Sequence, residues 1–136
     1  MRDRGVRFTN RRYAVLKDHT LQFNKLAAGP DVKHGEGKGN IIPKDGDFVE
    51  GVVYEIPASD IQKLDKFEGY PAHYDKNTIN VTIDNDVVET ITYIARPNMC
   101  KTGLKPSKEY LSHYLAAKDI LTEEYYKKLE SWPTID

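Results

Sequence analysis

Residues 77–95 read Asn-Thr-Ile-Asn-Val-Thr-Ile-Asp-Asn-Asp-Val-Val-Glu-Thr-Ile-Thr-Tyr-Ile-Ala. Ile79, Val81 and Ile83 alternate with polar neighbours, the period of a strand with one buried face. Asp84-Asn85-Asp86 supplies turn residues, and 87–95 returns as the second arm of a hairpin. Strands joined by so short a turn are antiparallel, since a parallel pair needs a crossover of about a dozen residues. Upstream, Tyr13–Lys17 and Thr20–Asn24 predict two short strands, with Asp18-His19 between them as a tight hairpin turn. Asn40–Pro43 predicts a brief strand, Lys44–Asp47 a turn, and Phe48–Ile56 a long strand whose Gly51 points to a bulge or a close backbone approach. Gly29, Pro30, Gly35, Gly37 and Gly39 make Ala27–Asn40 a loop. Downstream, Ser107 is placed to cap a helix reaching about Ile120, with Leu111, Tyr114 and Leu115 on its apolar side. Thr122 caps a second helix, with Glu123 and Glu124 at the positive end of its dipole. Strands first and helices last predict an α+β domain rather than an alternating βαβ one.

The 136 residues, 39% hydrophobic and 30% charged, suit one domain spanning 1–136. Twenty Lys and Arg against 21 Asp and Glu leave a net charge of −1, so no strong field draws the chain to nucleic acid or acidic lipid. A small ligand or a protein partner is the expectation. Cys100 has no second cysteine to pair with, which suits a reducing compartment. No apolar run approaches the roughly 20 residues of a membrane span, and Met1–Gly5 carries no apolar leader core, so a cytoplasmic location is expected. No repeat period is visible.

The segment Pro57–Pro71 reads as a short helix: Ser59 and Gln62 have capping-box spacing, and Gly69 with Pro71 supplies the stop. On a helical wheel Glu68 falls between Ile61 and Leu64, inside the stripe that faces the core, while Asp60 and Asp65 take its edges. A carboxylate aimed inward costs several kcal/mol unless it is paired or neutralised. Burial and the negative end of the helix dipole both disfavour its ionised form, which would tune Glu68 for general acid or base work near neutral pH. The residues leave a second reading open, in which the helix end turns outward and Glu68 pairs with a lysine.

Leu64-Asp65-Lys66-Phe67-Glu68-Gly69, preceded by Glu50-Gly51-Val52-Val53-Tyr54 and followed by Tyr74 and Thr92-Tyr93-Ile94, resembles the gamma-glutamylcyclotransferase-like family, which includes the avirulence-induced-gene-like proteins. The ordered set covers nearly the whole chain. The resemblance implies a small mixed or antiparallel β-barrel with flanking helices. It implies that Glu68 is the catalytic general acid/base, taking a proton from the α-amino group of a γ-glutamyl substrate as the amine attacks the γ-carbonyl. The ring then closes to 5-oxoproline and the attached amine or amino acid leaves. Tyr74 and Tyr93 correspond to substrate-binding tyrosines, although a half-buried strand tyrosine is the alternative for each. No metal or organic cofactor is implied. The family begins with a strand ending in Tyr-Gly-Ser-Asn, which is missing here; Arg4–Phe8 matches the segment that follows it. The expectation is that this strand lies upstream of Met1, rather than that the chain is a shortened member.

Other groups weigh less. His34–Asn40 is glycine-rich but lacks the Walker spacing and opens a strand, so a mobile loop at the rim of a pocket is expected. His19, His34, His73 and His113 show no metal-ligand spacing with each other or with Cys100, which reads as a semi-buried or surface thiol. Arg2, Arg4, Arg7, Arg11 and Arg12 make a basic cluster, read as a solvated face, with attraction of an acidic partner as the alternative. Trp132 and Tyr125-Tyr126 have two places to pack, this fold or another subunit. Two functions follow: an enzyme cyclising a small-molecule γ-glutamyl substrate, or a non-catalytic relative that binds a small carboxylated metabolite or a protein partner in the same pocket. The glutamyl head is shared by peptides of glutathione type, γ-glutamyl-lysine fragments and antibiotic intermediates, so the leaving amine stays open.

Overall fold

The run of β-forming residues upstream of the first helix makes two long strands rather than four short ones. In the computed structural model, which describes residues 10–29 and 32–136, β1 (Asn10–Leu26) pairs antiparallel with β2 (Gly37–Glu55) along nearly its whole length. Asp18 has the positive φ (59°) expected of a turn residue, but the chain does not reverse there. Lys17 pairs with Phe48 and His19 with Pro43, so Asp18 alone stands opposite Lys44–Asp47 in a large bulge. Gly46 takes a φ of +81° at its apex and donates its N–H to Asp18 Oδ1 at 3.0 Å. The expected Asp18-His19 hairpin and Lys44–Asp47 turn are thus the two sides of one bulge. Gly51, expected at a bulge, pairs in register with Ala14 and has open space where a side chain would be.

After α1 (Ala58–Phe67), β3 (Tyr74–Ile83) and β4 (Asp86–Ala95) form the anticipated hairpin. Asp84 and Asn85 both have positive φ, 49° and 69°, the backbone of the two-residue turn that matches strand twist. The sheet order is β2-β1-β3-β4, with β1 joined to β3 at the single register pair Val15–Thr82. The barrel expected from the family resemblance is therefore not formed among the described residues. Closure needs a hydrogen-bonded ladder between the end strands. Here β2 and β4 remain the two edges of an open sheet, and side chains of both line a cavity of about 290 Å³ that Leu64 and Glu68 of the α1 end also line.

Two clusters form the core. Ala14, Leu16, Val81 and Ile83 bury together, while Leu21 and Phe23 bury against Leu111 of α2 (Lys108–Leu115) and Tyr125 and Leu129 of α3 (Glu123–Glu130). Val49 packs on both. Ser107 Oγ accepts from Tyr110 N–H at 3.1 Å and Thr122 Oγ1 from Tyr125 N–H at 3.4 Å, the caps anticipated for both helices. α2 stops at Leu115, short of Ile120, because tighter bonds such as Ala117 N–H to Tyr114 O take over the next turns. Trp132 packs within the chain, edge-on to Phe23 with ring centroids 5.0 Å apart. No helix among the described residues is long and apolar enough to cross a membrane.

Gly37, packed on the backbone of β1, and Gly39, packed on α2, leave no room for a methyl group. A Cβ on Gly37 would lie 2.0 Å from the Phe23 carbonyl oxygen, and one on Gly39 would lie 1.9 Å from Tyr114 Oη. Gly37→Ala should cost about 3 kcal/mol or more in denaturant unfolding, because its clash is with backbone. Gly39→Ala should cost about 1–3 kcal/mol, and Gly51→Ala, with nothing within 4 Å of the added carbon, should stay within about 1 kcal/mol of the parent. Equal losses at all three positions would show that close approach is not what holds these glycines.

Candidate active site

α1 delivers its last residues to the cavity by the way it ends. Tyr70 N–H donates to Asp65 O at 2.9 Å and Gly69 N–H to Lys66 O at 3.2 Å, the paired bonds of a Schellman turn, with Gly69 at φ +67°. Glu68 is the C-cap residue. The start of the helix differs from expectation: Pro57 occupies the N-cap without a side-chain cap, and Ser59 already lies inside the first turn. Asp60, expected at the edge of the apolar stripe, is 1% exposed and pairs with Lys63 at 3.5 Å, whereas Phe67 is 57% exposed.

Glu68 is half-buried and lines the cavity with Leu64, Val53, Ile79 and Tyr93. Its charge reaches three elements, acting on Lys25 of β1, Tyr93 of β4 and Tyr114 of α2. Tyr93 also lines the cavity, and its hydroxyl donates to Asp65 Oδ1. Burial first, then this bond to a carboxylate, pushes the Tyr93 phenol far above its usual value. Lys76 Nζ binds the other carboxylate oxygen of Asp65 at 2.8 Å. Burial works to raise Asp65, but the bonds from Lys76 and Tyr93 and the lysine charge outweigh it and hold its pKa below the ordinary value of 3.8.

Tyr74 is 8% exposed and does not line the cavity; its hydroxyl donates to Gly39 O at 2.8 Å. Beside it lies a group that sequence reasoning missed. Lys25, 4% exposed, places Nζ 3.0 Å from His73 Nδ1 and 5.6 Å from the centroid of the Tyr74 ring. The signal was available, since Lys25 continues the buried alternation of Leu21 and Phe23. Cys100 is half-buried, its thiol 3.5 Å from Arg96 O, and burial raises it. No described residue of 27–40 lines the cavity; Glu36 instead bridges to Lys105, and Gly37 N–H donates to Lys105 O at 2.8 Å. Arg4–Phe8, matched above to the segment after a first strand, and Arg2, Arg4 and Arg7 of the basic cluster lie outside the described residues. Arg11 and Arg12 pair with Asp119 and Asp84 at 3.2 and 2.9 Å.

The arrangement is that of a small α+β protein with a carboxylate at a helix terminus and a strand tyrosine lining one cavity beside the sheet edges. Residues 4–115 match the family described as Gamma-glutamyl cyclotransferase, AIG2-like, and the chain belongs to that family. It is similar to the putative gamma-glutamylcyclotransferase CG2811 of Drosophila melanogaster, 33% identical over 55 residues, which span 40% of this chain and 35% of that protein. A solved structure titled gamma-glutamyl cyclotransferase superposes with a TM-score of 0.80 at 26% identity, over 96% of this chain and 77% of that one. The human protein loc79017 has the same fold, with a TM-score of 0.80 at 24% identity over 99% of this chain and 79% of its own.

Because Asp65 is held below 3.8 when folded, its contribution to stability is present above the unfolded value and lost as pH falls through the folded one. Asp65→Asn should cost about 1–2 kcal/mol at pH 7. Denaturant unfolding of both proteins should show the difference constant above about pH 5 and shrinking below it. A gap that persists unchanged to the acid limit would show that the carboxylate charge is not what Lys76 and Tyr93 hold.

Proposed function

We propose that this protein cyclises a γ-glutamyl amine or γ-glutamyl amino acid to 5-oxoproline, with Glu68 as the general acid/base. The observation that carries the reading is the placement of Glu68 on the cavity, in a member of this family, at the residue its helix motif singles out. The substrate's neutral α-amine attacks its own γ-carbonyl carbon. Glu68 takes the proton released as that C–N bond forms and gives it to the leaving nitrogen as the original γ C–N bond breaks. One carboxylate serves both halves, and atoms and charge balance without a second reactant. Folding the glutamyl chain for five-membered closure is a task of orientation, which a cavity of about 290 Å³ with apolar walls of Val53, Leu64 and Ile79 suits.

Tyr93 and Tyr74 are the substrate contacts in this reading. Tyr93 lines the cavity and its hydroxyl is anchored on Asp65. Tyr74 does not line this cavity, so in this reading it meets only a part of the substrate that extends beyond it, at the hydroxyl bonded to Gly39 O.

Glu68→Gln keeps the shape of the side chain and removes its basicity. It should retain the parent melting temperature and lose about 10²–10⁴-fold in 5-oxoproline formation from γ-glutamyl amino acids, measured by chromatography. Undiminished turnover would remove Glu68 as the proton carrier. A parent protein that forms no 5-oxoproline, yet melts higher with γ-glutamyl ligands, would instead make the site a binding pocket.

A further inference from the structure

Lys25 is a buried charged residue that the proposed reaction leaves unused. It is 4% exposed, and an ammonium removed from water must be repaid by partners. An ammonium has only donors, so the 3.0 Å contact to His73 Nδ1 makes that nitrogen the acceptor and leaves the imidazole proton on Nε2. His73 in turn grips the end of α1. Its N–H donates to Gly69 O at 2.8 Å, and its ring lies so close to Gly69 that an added Cβ would stand 2.8 Å from Cδ2. Gly69 is the residue after Glu68, and its left-handed backbone ends the helix immediately beyond that carboxylate. Lys25 thus reaches the Glu68 turn through a single side chain.

We propose that Lys25 is a positioning residue for Glu68, its ammonium clamping the Gly69 turn through His73 and setting a positive charge behind the carboxylate. The inference rests on the reading of Glu68 as the proton carrier. The groups about Lys25 are Glu68, whose charge favours the ammonium, Lys38 of β2, which opposes it, the Cys100 thiol, which burial keeps protonated, and His73 and the Tyr74 ring. Groups coupled to Glu68 include Lys25, the Tyr93 phenol with Asp65 behind it, and the Tyr114 phenol with Tyr110 behind it. Burial lowers Lys25 and the Glu68 charge works against that, so the two charges favour each other.

The test is a carbon-detected NMR titration of the Glu68 side-chain carboxyl in the full chain, which needs no turnover. Lys25→Met keeps the buried stem and removes the charge, so the Glu68 midpoint should rise by roughly one pH unit. Lys25→Arg should keep it near the parent. In the active enzyme the acid limb of kcat/KM should move the same way in Lys25→Met, with kcat down about tenfold or more, and Lys25→Arg should recover part of both. If Lys25→Met does not fold, Lys25→Gln offers His73 an uncharged donor and is read the same way. A Glu68 midpoint unmoved in a folded, uncharged variant overturns the proposal even where Glu68→Gln is inactive. Full activity of Glu68→Gln would instead overturn the reaction assignment, and the carboxyl titration would still decide whether Lys25 acts on Glu68.

Discussion

The missing side chain at Gly39 is the constraint on which the rest of the structure depends. Its N–H donates to Tyr110 Oη at 3.0 Å, its carbonyl accepts from Tyr74 Oη at 2.8 Å, and Tyr114 Oη occupies the space a Cβ would need. Three tyrosines from α2 and β3 therefore meet one residue of β2. Tyr110 and Tyr114 stand edge-on to Phe23, with centroids 6.1 and 5.3 Å away, which seats the helical layer on β1. Tyr74 carries the constraint the other way, since its ring backs Lys25, Lys25 holds His73, and His73 packs on the turn bearing Glu68. Core packing and the placement of the candidate proton carrier are one connected structure.

The parts of the fold legible in the sequence are those decided within a few residues. Asp84-Asn85 makes the turn its residue types require, Ser107 and Thr122 cap the helices they precede, and Gly69 ends α1 in a left-handed turn. Asp18 shows where local reading stops. The positive φ that its side chain tolerates is real, but whether such a residue reverses a chain or bulges it depends on the strand opposite. Only the register of β2, with Gly46 donating to Asp18, settles that. Barrel closure is also non-local: it requires β4 to ladder with β2, and their own residues carry no mark of the open edges they keep.

The site divides along the same line. Glu68 was visible because a carboxylate in an apolar stripe breaks a periodic pattern, and Tyr93 through the resemblance of its strand to the family's. Lys25 follows the buried alternation of β1, yet a lysine there looks like a strand end until His73 and the Glu68 turn are folded against it. Tyr74 was identified by its place in the chain, and its spacing from Glu68 does not reveal that Gly39 accepts its hydroxyl.

α1 carries Asp65 and Glu68 one turn apart, and the fold gives them different work. Lys76 and Tyr93 occupy both oxygens of Asp65 and hold it ionised, so its proton affinity is too low for exchange with a substrate amine near neutrality. Asp65 instead fixes the Tyr93 hydroxyl and, through it, one wall of the cavity. Glu68 is the carboxylate of this pair that lines the cavity, as does the tyrosine that Asp65 holds. Two acidic residues on one helix end are separated by their partners into a support and a candidate reactant, the kind of division by environment that assigns roles to paired carboxylates in acid–base sites.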